Sequence, residues 1–486
     1  MGGLKGNVAW WAFAEQSAKG TAASAAVSKI PFTGGGITVT RETANLSETD
    51  ASRDQGTSYV VRTGVEGSTE SYVRDSYVHS LFKGALGSRA LSVVPSFTVS
   101  SATAAAANNN AVTAVSASLF TYTYTATGHT FVAGDTVVIA GASVAAYNGT
   151  FTITSVASNQ FTVTGTVSGP GAATWTSGTA TSTKSTYTYT TSAAHGYAVG
   201  DSVAISGASV AAYNGIFIIT AVTSTTFAVV GAANPGAVTF TSGSVSKNGT
   251  HKITPANALP YYTFWRNQSD VLYEQFQDCL ISELTIKGEA GAPLSVNAMI
   301  MGLVPSRSSS ESAATSSITK VNNDPVYSYN EAQVAIGGTV GSDGLITSPT
   351  ITTSVRSIEL QINNNAKIQQ TDDVTPYDVI PGQREITISF DLILEDIKEY
   401  NKFFYGTETG TAVSSSIYTT PMQFKFTKGS NSITLDMPVV AYEAFPVEPN
   451  AGGDPIIVSV RAQAQRTGDS AKPIVTATVV NNTLAV

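Results

Sequence analysis

Residues 260–300 (PYYTFWRNQSDVLYEQFQDCLISELTIKGEAGAPLSVNAMI) overlay residues 421–461 (PMQFKFTKGSNSITLDMPVVAYEAFPVEPNAGGDPIIVSVR) without a gap at an offset of 161. Ser269 falls on Ser430, Ala290-Gly291 falls on Ala451-Gly452, and aromatic or aliphatic residues fall on their like. A register of about forty residues that keeps its turn positions predicts one β-domain duplicated within the chain. A strand followed directly by a short helix also occurs twice. In the downstream copy Ile386, Ile388, Phe390 and Leu392 alternate with Thr387, Ser389 and Asp391, the period of a strand with one dry and one wet face. Ile397, Tyr400, Phe403 and Phe404 then take helical spacing, with the acids Glu395 and Asp396 suited to a first turn. Upstream, residues 59–70 read as a strand and residues 75–86 place Tyr77, Val78, Leu81, Phe82 and Leu86 on one helical face. An offset near 322 sets Leu81-Phe82 on Phe403-Phe404 and leaves the strand register open.

A chain of 486 residues is too long for one core, so several domains are expected. Charged residues are only 12%, and Thr, Ser, Ala, Val and Gly dominate, which favours strands and turns over helices. A formal charge of -8 and a pI near 5.1 argue against a surface that grips nucleic acid, yet suit DNA that slides past without sticking. The single cysteine, Cys279, cannot form an intrachain disulfide and reads as a small buried hydrophobe. The N-terminal residues lack a long apolar run and a cleavage site, and no stretch has the length of a membrane span. Synthesis in the cytoplasm as a soluble chain is the expectation.

The two copies differ in one spacing. Gly410 to Pro421 is 11 residues, whereas the corresponding Gly87 to Pro260 is 173, so roughly 160 residues are inserted into a surface loop of the first copy. The insertion opens with a low-complexity connector, residues 100–117, and then repeats itself: the segment from His129 recurs from His195 at an offset of 66. Each repeat carries alternating strands, a Gly-Asp turn (Gly134-Asp135, Gly200-Asp201) and a Tyr-Asn-Gly turn (Tyr147-Asn148-Gly149, Tyr213-Asn214-Gly215) that reads as a tight hairpin. The expected organisation is a first domain made of residues 1–98 and 248–305, a connector with the first inserted module over 99–181, and a second module over 182–247. A Ser-rich linker over 306–325 and a second duplicated domain over 326–486 complete it. The fold class is mostly β: two duplicated domains, each with a short flanking helix, plus two small all-β modules.

No constellation suggests catalysis, a metal or a cofactor. Four histidines serve the chain: His79 in a helix, His129 and His195 in the modules, and His251 in a loop. One histidine per module cannot complete a zinc site, so His129, His195, Asp135 and Asp201 read as turn and hydrogen-bonding residues. Gly34-Gly35-Gly36 precedes a strand, the wrong order for a phosphate cradle. Trp10, Trp11 and Phe13 suit an interface anchor or an ordinary strand equally. Both copies keep a long polar loop at one position, residues 41–57 and residues 363–382, which points to contact with something.

Several pieces taken in order carry a resemblance: FTGGGITVTRE from Phe32, DSYVHSLFKGALG from Asp75, and the stretch from Phe264 to Gly302. In the second half SIELQINNN from Ser357, PGQREITISFDLILED from Pro381 and the stretch from Pro438 to Gln465 fit equally well. Together they resemble the major tail tube subunits of bacteriophages with long, non-contractile tails. The resemblance implies β-sandwich tube domains whose sheets join around rings, stacked into a conduit for genomic DNA. It implies no enzymatic activity and a place in the virion tail. Family rings hold six tube domains, so a chain with two implies a homotrimer of pseudo-sixfold symmetry, with a hexamer as the alternative. Implied partners are further copies of the chain, tail terminator, tape measure and baseplate proteins, and genomic DNA passing without specific binding. On this reading Thr387, Ser389 and Asp391 face the lumen, and Glu48, Asp50, Arg53, Asp54, Asp372, Asp373 and Tyr377 bridge successive rings. The inserted modules resemble small β-repeats of phage virion proteins and would decorate the outer surface, where a cell-surface glycan is their candidate ligand. The competing assignment is a baseplate or receptor-binding protein, since tandem β-modules also occur in adhesins; a polysaccharide-cleaving enzyme ranks third.

Overall fold

A computed structural model describes residues 9–484 except 25, 27–28, 32, 47–56, 94–96, 105–108, 130, 132, 232–239, 269, 317, 319–323 and 448–454. The chain forms two compact units: Met1–Ser92 with Thr250–Asn482, and the inserted Val93–Gly249. The first unit contains both copies of the duplicated domain. Its strands are β1 (Ala9–Glu15), β2 (Gly34–Asn45) and β3 (Ser58–Tyr72), then helix α1 (Asp75–Leu86). After the insertion come β4 (Gly249–Pro255), β5 (Tyr262–Gln268), β6 (Leu272–Glu289) and β7 (Ser295–Gly302). The second copy supplies β8 (Ala332–Ile336), β9 (Val355–Asn363), β10 (Glu385–Ile393), α2 (Lys398–Tyr405), β11 (Thr419–Lys428), β12 (Asn431–Ala444), β13 (Ile457–Ala464) and β14 (Thr476–Asn481).

Pairing follows the duplication. The first copy runs β1-β5-β6-β7-β3-β2 and the second β8-β11-β12-β13-β10-β9, all neighbours antiparallel. Their inward residues merge into one core that holds Trp11, Phe13, Phe82, Phe264, Ile281, Ile388, Phe390, Phe424 and Val460. Full burial of a side chain of this kind contributes roughly 1.5–3 kcal/mol, so the alternation is what holds the strands to their faces. Trp11 is an ordinary core residue, stacked in one cluster with Phe13 and Phe264. Cys279 is fully buried, and burial pushes its thiol far above the usual range.

The gapless offset is corrected by the pairing. The bulge at Ile281/Glu283 recurs at Tyr442/Ala444, an offset of 161, but the bulge at Tyr262/Phe264 recurs at Thr420/Met422, an offset of 158. The β11–β12 hairpin is longer, closing at Lys428↔Asn431 where β5–β6 closes at Gln268↔Leu272. Because inward residues must match inward residues, Val65 corresponds to Ile386 (offset 321) and Val39 to Ile362 (offset 323). The two helices end on glycines in the left-handed region, Gly87 at φ 106° and Gly406 at φ 76°, an offset of 319 that sets Ala85 on Phe404 and corrects the expected match of Leu81-Phe82 with Phe403-Phe404. A Cβ at Gly87 would lie 2.5 Å from the Ala258 carbonyl, so glycine is required there. Helix α2 starts later than its pattern suggests: Glu395 and Asp396 precede it, and Asp396 Oδ1 accepts from the Lys398 amide at 2.9 Å.

Part of the expected Ser-rich linker is structured. Val304–Ser308 pairs with β6 and Ala313–Ser316 forms a short helix. His251 lies in β4, not in a loop, fully buried with its ring stacked 4.2 Å from that of His79.

In the inserted unit the low-complexity connector is largely strand. Phe97–Ala104 closes a six-stranded barrel with the strands of residues 185–246, so it belongs to the second module and not to the first. Asn109–Ala111 and Ala114–Ser118 pair with the strands of the first module, Trp175–Ser182 and Thr121–Thr125. Low complexity does not prevent this, because alternating Val, Ala, Ser and Thr can still present one small apolar face. The two modules share a tyrosine-rich core: Tyr122, Tyr124 and Tyr147 in one, Tyr187, Tyr189 and Tyr213 in the other. The Tyr-Asn-Gly turns are not two-residue hairpins. Ala145–Tyr147 is a turn of 3-10 helix, and the Asn148 side chain clamps Ala142 by both its amide (2.9 Å) and its carbonyl (2.8 Å); Asn214 does the same at Ala208.

Candidate functional site

The duplicated domains meet strand to strand. Glu283–Glu289 of β6 pairs with Ser357–Asn363 of β9, so the sheet of the first copy continues without a break into that of the second. Alternation then forces every outward side chain of β2, β3, β7, β6, β9, β10 and β13 onto one shared face. Paired rows run across it, such as Ser295–Lys287–Glu359–Ser389–Arg461 and Asn297–Thr285–Gln361–Thr387–Gln463. Thr387, Ser389 and Asp391 stand together on this face, half-buried, while Ile386, Ile388, Phe390 and Leu392 are buried beneath them. Asp391 is held by the Ser357 and Ser459 hydroxyls, each donating at 2.7 Å.

The face is polar and predominantly acidic. It carries Glu42, Glu66, Glu70, Glu283, Glu289, Glu359, Glu385 and Asp391 against Arg62, Lys287 and Arg461. All three bases are already engaged, Arg62 with Glu42 at 2.5 Å, Lys287 with Glu359 at 3.1 Å and Arg461 with Glu443 at 3.0 Å. Spare charge on this face is therefore negative. The groove along it, about 580 Å³ and open to solvent, crosses the joint between the copies and is lined by Lys287, Glu359, Ser389, Asp391, Ser459 and Arg461 among others.

Beneath the joint, residues that the sequence did not single out hold the copies together. Asn364, 1% exposed, donates to the carbonyls of Ala85 (3.0 Å) and Ile281 (3.2 Å) and accepts from Arg384 Nε at 2.9 Å. Arg384 also donates to Leu86 O (3.3 Å) and Ala256 O (2.9 Å). The second copy thus caps the orphan carbonyls at the end of the first copy's helix. A second link joins α1 to β14: Asn481 bonds the Asp75 carbonyl (2.6 Å), the His79 ring (3.1 Å) and the His251 ring (2.9 Å). Burial pushes the Asp75 carboxyl up, against hydrogen bonds from Tyr327 and Asn431 that pull it down. The run Asn363-Asn364-Asn365 reads as the start of a loop, and only the partner helix end gives Asn364 its meaning.

The loop over residues 363–382 is a two-stranded hairpin, Lys367–Gln369 with Asp378–Ile380. It docks on the first copy through both its second strand and its turn: Lys19 reaches the Tyr377 carbonyl (2.7 Å) and Asp378 (3.1 Å), Tyr261 donates to Asp378 (2.7 Å), and the Thr63 amide donates to Val374 O (3.0 Å). Asp372, Asp373 and Tyr377 remain exposed. Of the corresponding loop in the first copy, Glu48, Asp50, Arg53 and Asp54 lie outside the described residues.

In the modules the repeated polar residues have structural partners. His129 and His195 each sit 3.1 Å from a backbone carbonyl and stack on Phe131 and Tyr197. Asp135 pairs with Lys184 at 2.7 Å and Asp201 with Lys247 at 3.1 Å. Among the described residues no group of three His, Cys, Asp or Glu side chains is placed to hold a metal ion.

A sheet shared by two like domains, presenting one uninterrupted polar face, defines a structural β-sandwich protein. The particular kind is given by comparison: the family model for phage tail tube protein matches residues 217–464, half of the chain. The chain belongs to the phage tail tube protein family, whose members are structural proteins of the virion tail that self-assemble into stacked rings. No curated protein matches the sequence.

Proposed function

We propose that three copies close a ring of six pseudo-equivalent tube domains, and that stacked rings form the conduit through which genomic DNA is ejected. The observation that carries this is the β6–β9 pairing, a side-to-side joint between homologous domains that already exists within one chain. Repeating it between chains removes open sheet edges, the chief aggregation hazard of an all-β protein. The shared acidic face is the lumen wall, with Thr387, Ser389 and Asp391 in it. Negative charge there repels the DNA backbone over about a Debye length, roughly 8 Å at physiological salt, and offers no cationic foothold. The role is passive and non-catalytic.

The exposed tip Asp372, Asp373 and Tyr377, with Glu48, Asp50, Arg53 and Asp54 of the other loop, bridges successive rings. The inserted modules decorate the outside of the tube. Tail terminator, tape measure and baseplate proteins are the partners at the ends and in the bore, and assembly follows synthesis in the host cytoplasm. Electron microscopy of the purified protein tests the reading. Rings or tubes with three chains per layer are expected. Six chains per layer would replace the trimer by a hexamer, and isolated spiked particles with no ring would favour a baseplate or receptor-binding protein. Replacing Thr387 and Ser389 by lysine is expected to leave tubes intact while slowing DNA release from virions.

A further inference from the structure

The joint inside the chain also shows which surface must be waiting at its open end. Helix α1 is buried over most of its length, including Tyr77, His79, Leu81, Phe82, Ala85 and Leu86, and the second copy's Asn364 and Arg384 seal its last turn. Its counterpart α2 has no buried residue, although its sequence offers Tyr400, Phe403, Phe404 and Tyr405. The complementary surface is exposed at the other end of the same sheet. β2 is the terminal strand, and its inward residues Val39 and Arg41 occupy the places of Ile362 and Asn364. Ile362 is 1% exposed at the joint, whereas Val39 is 47% exposed. A helix only half-covered, Tyr400 and Phe403 resting on its own core with no residue fully buried, and an uncovered apolar strand flank are therefore the two halves of a contact already made once within the chain.

We infer that the inner flank of β2 docks on α2 of a second copy, Val39 covering its aromatic side and Arg41 capping its C-terminal carbonyls. Resting on the ring reading above, this assigns the partner as another copy of this chain and fixes the register. The C-cap glycines equate Ala85 with Phe404, and the shared bulge equates Ile281 with Tyr442, so Arg41 donates to the Tyr442 carbonyl and, beside the Ser414 amide already bound there at 2.9 Å, to that of Phe404. A guanidinium is well suited there, since it adds positive charge at the negative end of a helix as well as donors.

Paired cysteines in the full-length protein test this, because the native Cys279 is fully buried. Arg41→Cys with Phe404→Cys in one chain, assembled and mildly oxidised, is expected to give covalent dimers and trimers on a non-reducing gel, while either single variant gives none. Val39→Cys with Tyr405→Cys is a second pair, independent of how well the first tolerates its substitutions. Arg41→Glu is expected to raise the concentration needed for assembly at least tenfold, with Arg41→Lys close to wild type. Rings that form normally from both cysteine pairs yet stay uncross-linked would overturn this docking and leave the ring intact. Wild-type protein that forms no ring would overturn both.

Discussion

Asn364→Ala should weaken the joint between the duplicated domains more than any neighbouring substitution of equal size. The side chain is 1% exposed and makes three hydrogen bonds, two to the carbonyls of Ala85 and Ile281 and one from the Arg384 guanidinium. A neutral bond is worth about 1 kcal/mol and one to a charged group about 1.5–3 kcal/mol. The sum is about 3.5–5 kcal/mol. Arg384 keeps Leu86 O and Ala256 O, which favours the lower end. That is a large share of a typical stability of about 5–15 kcal/mol. Denaturant unfolding followed by tryptophan fluorescence gives the total, because Trp11 and Trp265 lie in the first copy. Hydrogen exchange gives the location: the last turn of α1 should lose protection while α2, which lacks this cap, stays unchanged. A loss below about 1 kcal/mol, or faster exchange spread evenly over both helices, would refute the claim that Asn364 closes the joint.

Gly231→Ala should unfold the second module selectively, since a Cβ there would lie 2.0 Å from the Tyr187 ring; calorimetry should show one transition lowered by several degrees and the rest unmoved. Asp378→Asn should remove an acid-sensitive contact. Burial pushes the Asp378 carboxyl up, but Tyr261, Lys19 and the Val379 amide together hold it below its ordinary 3.8, so its contribution is present above that value and fades as pH falls through the lower folded value. Proteolysis of the hairpin over residues 363–382 between pH 5 and pH 2, about the span in which carboxylates titrate, should rise in the wild type and be flat and already high in the variant. Excising residues 94–248 and joining their ends by a short turn should leave the tube unit folded, because the strands on either side, Gly87–Val93 and Gly249–Pro255, are hydrogen-bonded neighbours; circular dichroism and the ring assay read the outcome.

What was legible in the sequence was what alternation and spacing encode. Helix α1 falls on the expected residues, β10 follows the alternation around Ile388, and Thr387, Ser389 and Asp391 share the outward face that alternation demands. Offsets were less reliable, since the β11–β12 hairpin is extended and bulges shift registers by one, changes that identity of residue type does not reveal. The joint between the two copies was largely illegible. Asn364 and Arg384 act on a helix nearly 300 residues away in sequence, and nothing local distinguishes them from polar loop residues. His79 lies in its expected helix, but His251 was misplaced for the same reason: it looks like a loop residue until β4 is set beside α1 and β14.

The same long-range logic explains the insertion. Read linearly, the chain suggests a connector followed by two modules in tandem, yet the first strand after Val93 closes the second module and the next closes the first. Each insertion therefore enters and leaves between neighbouring strands. Gly87–Val93 lies beside Gly249–Pro255, Phe97–Ala104 pairs with Phe240–Ser246, and Asn109–Ala111 pairs with Trp175–Ser182. Where two chain ends are already adjacent, lengthening the loop between them adds only about 0.6 kcal/mol per doubling in closure entropy. Nesting is then nearly neutral for the host domain, and each module keeps its own tyrosine core. An arrangement in tandem would instead have needed the second closing strand after residue 182, where Thr183 and Lys184 leave no room for it before Ser185 begins the next strand. The order of the closing strands is thus the signature of one module placed inside another, and that inside a tube domain whose sheet was never interrupted.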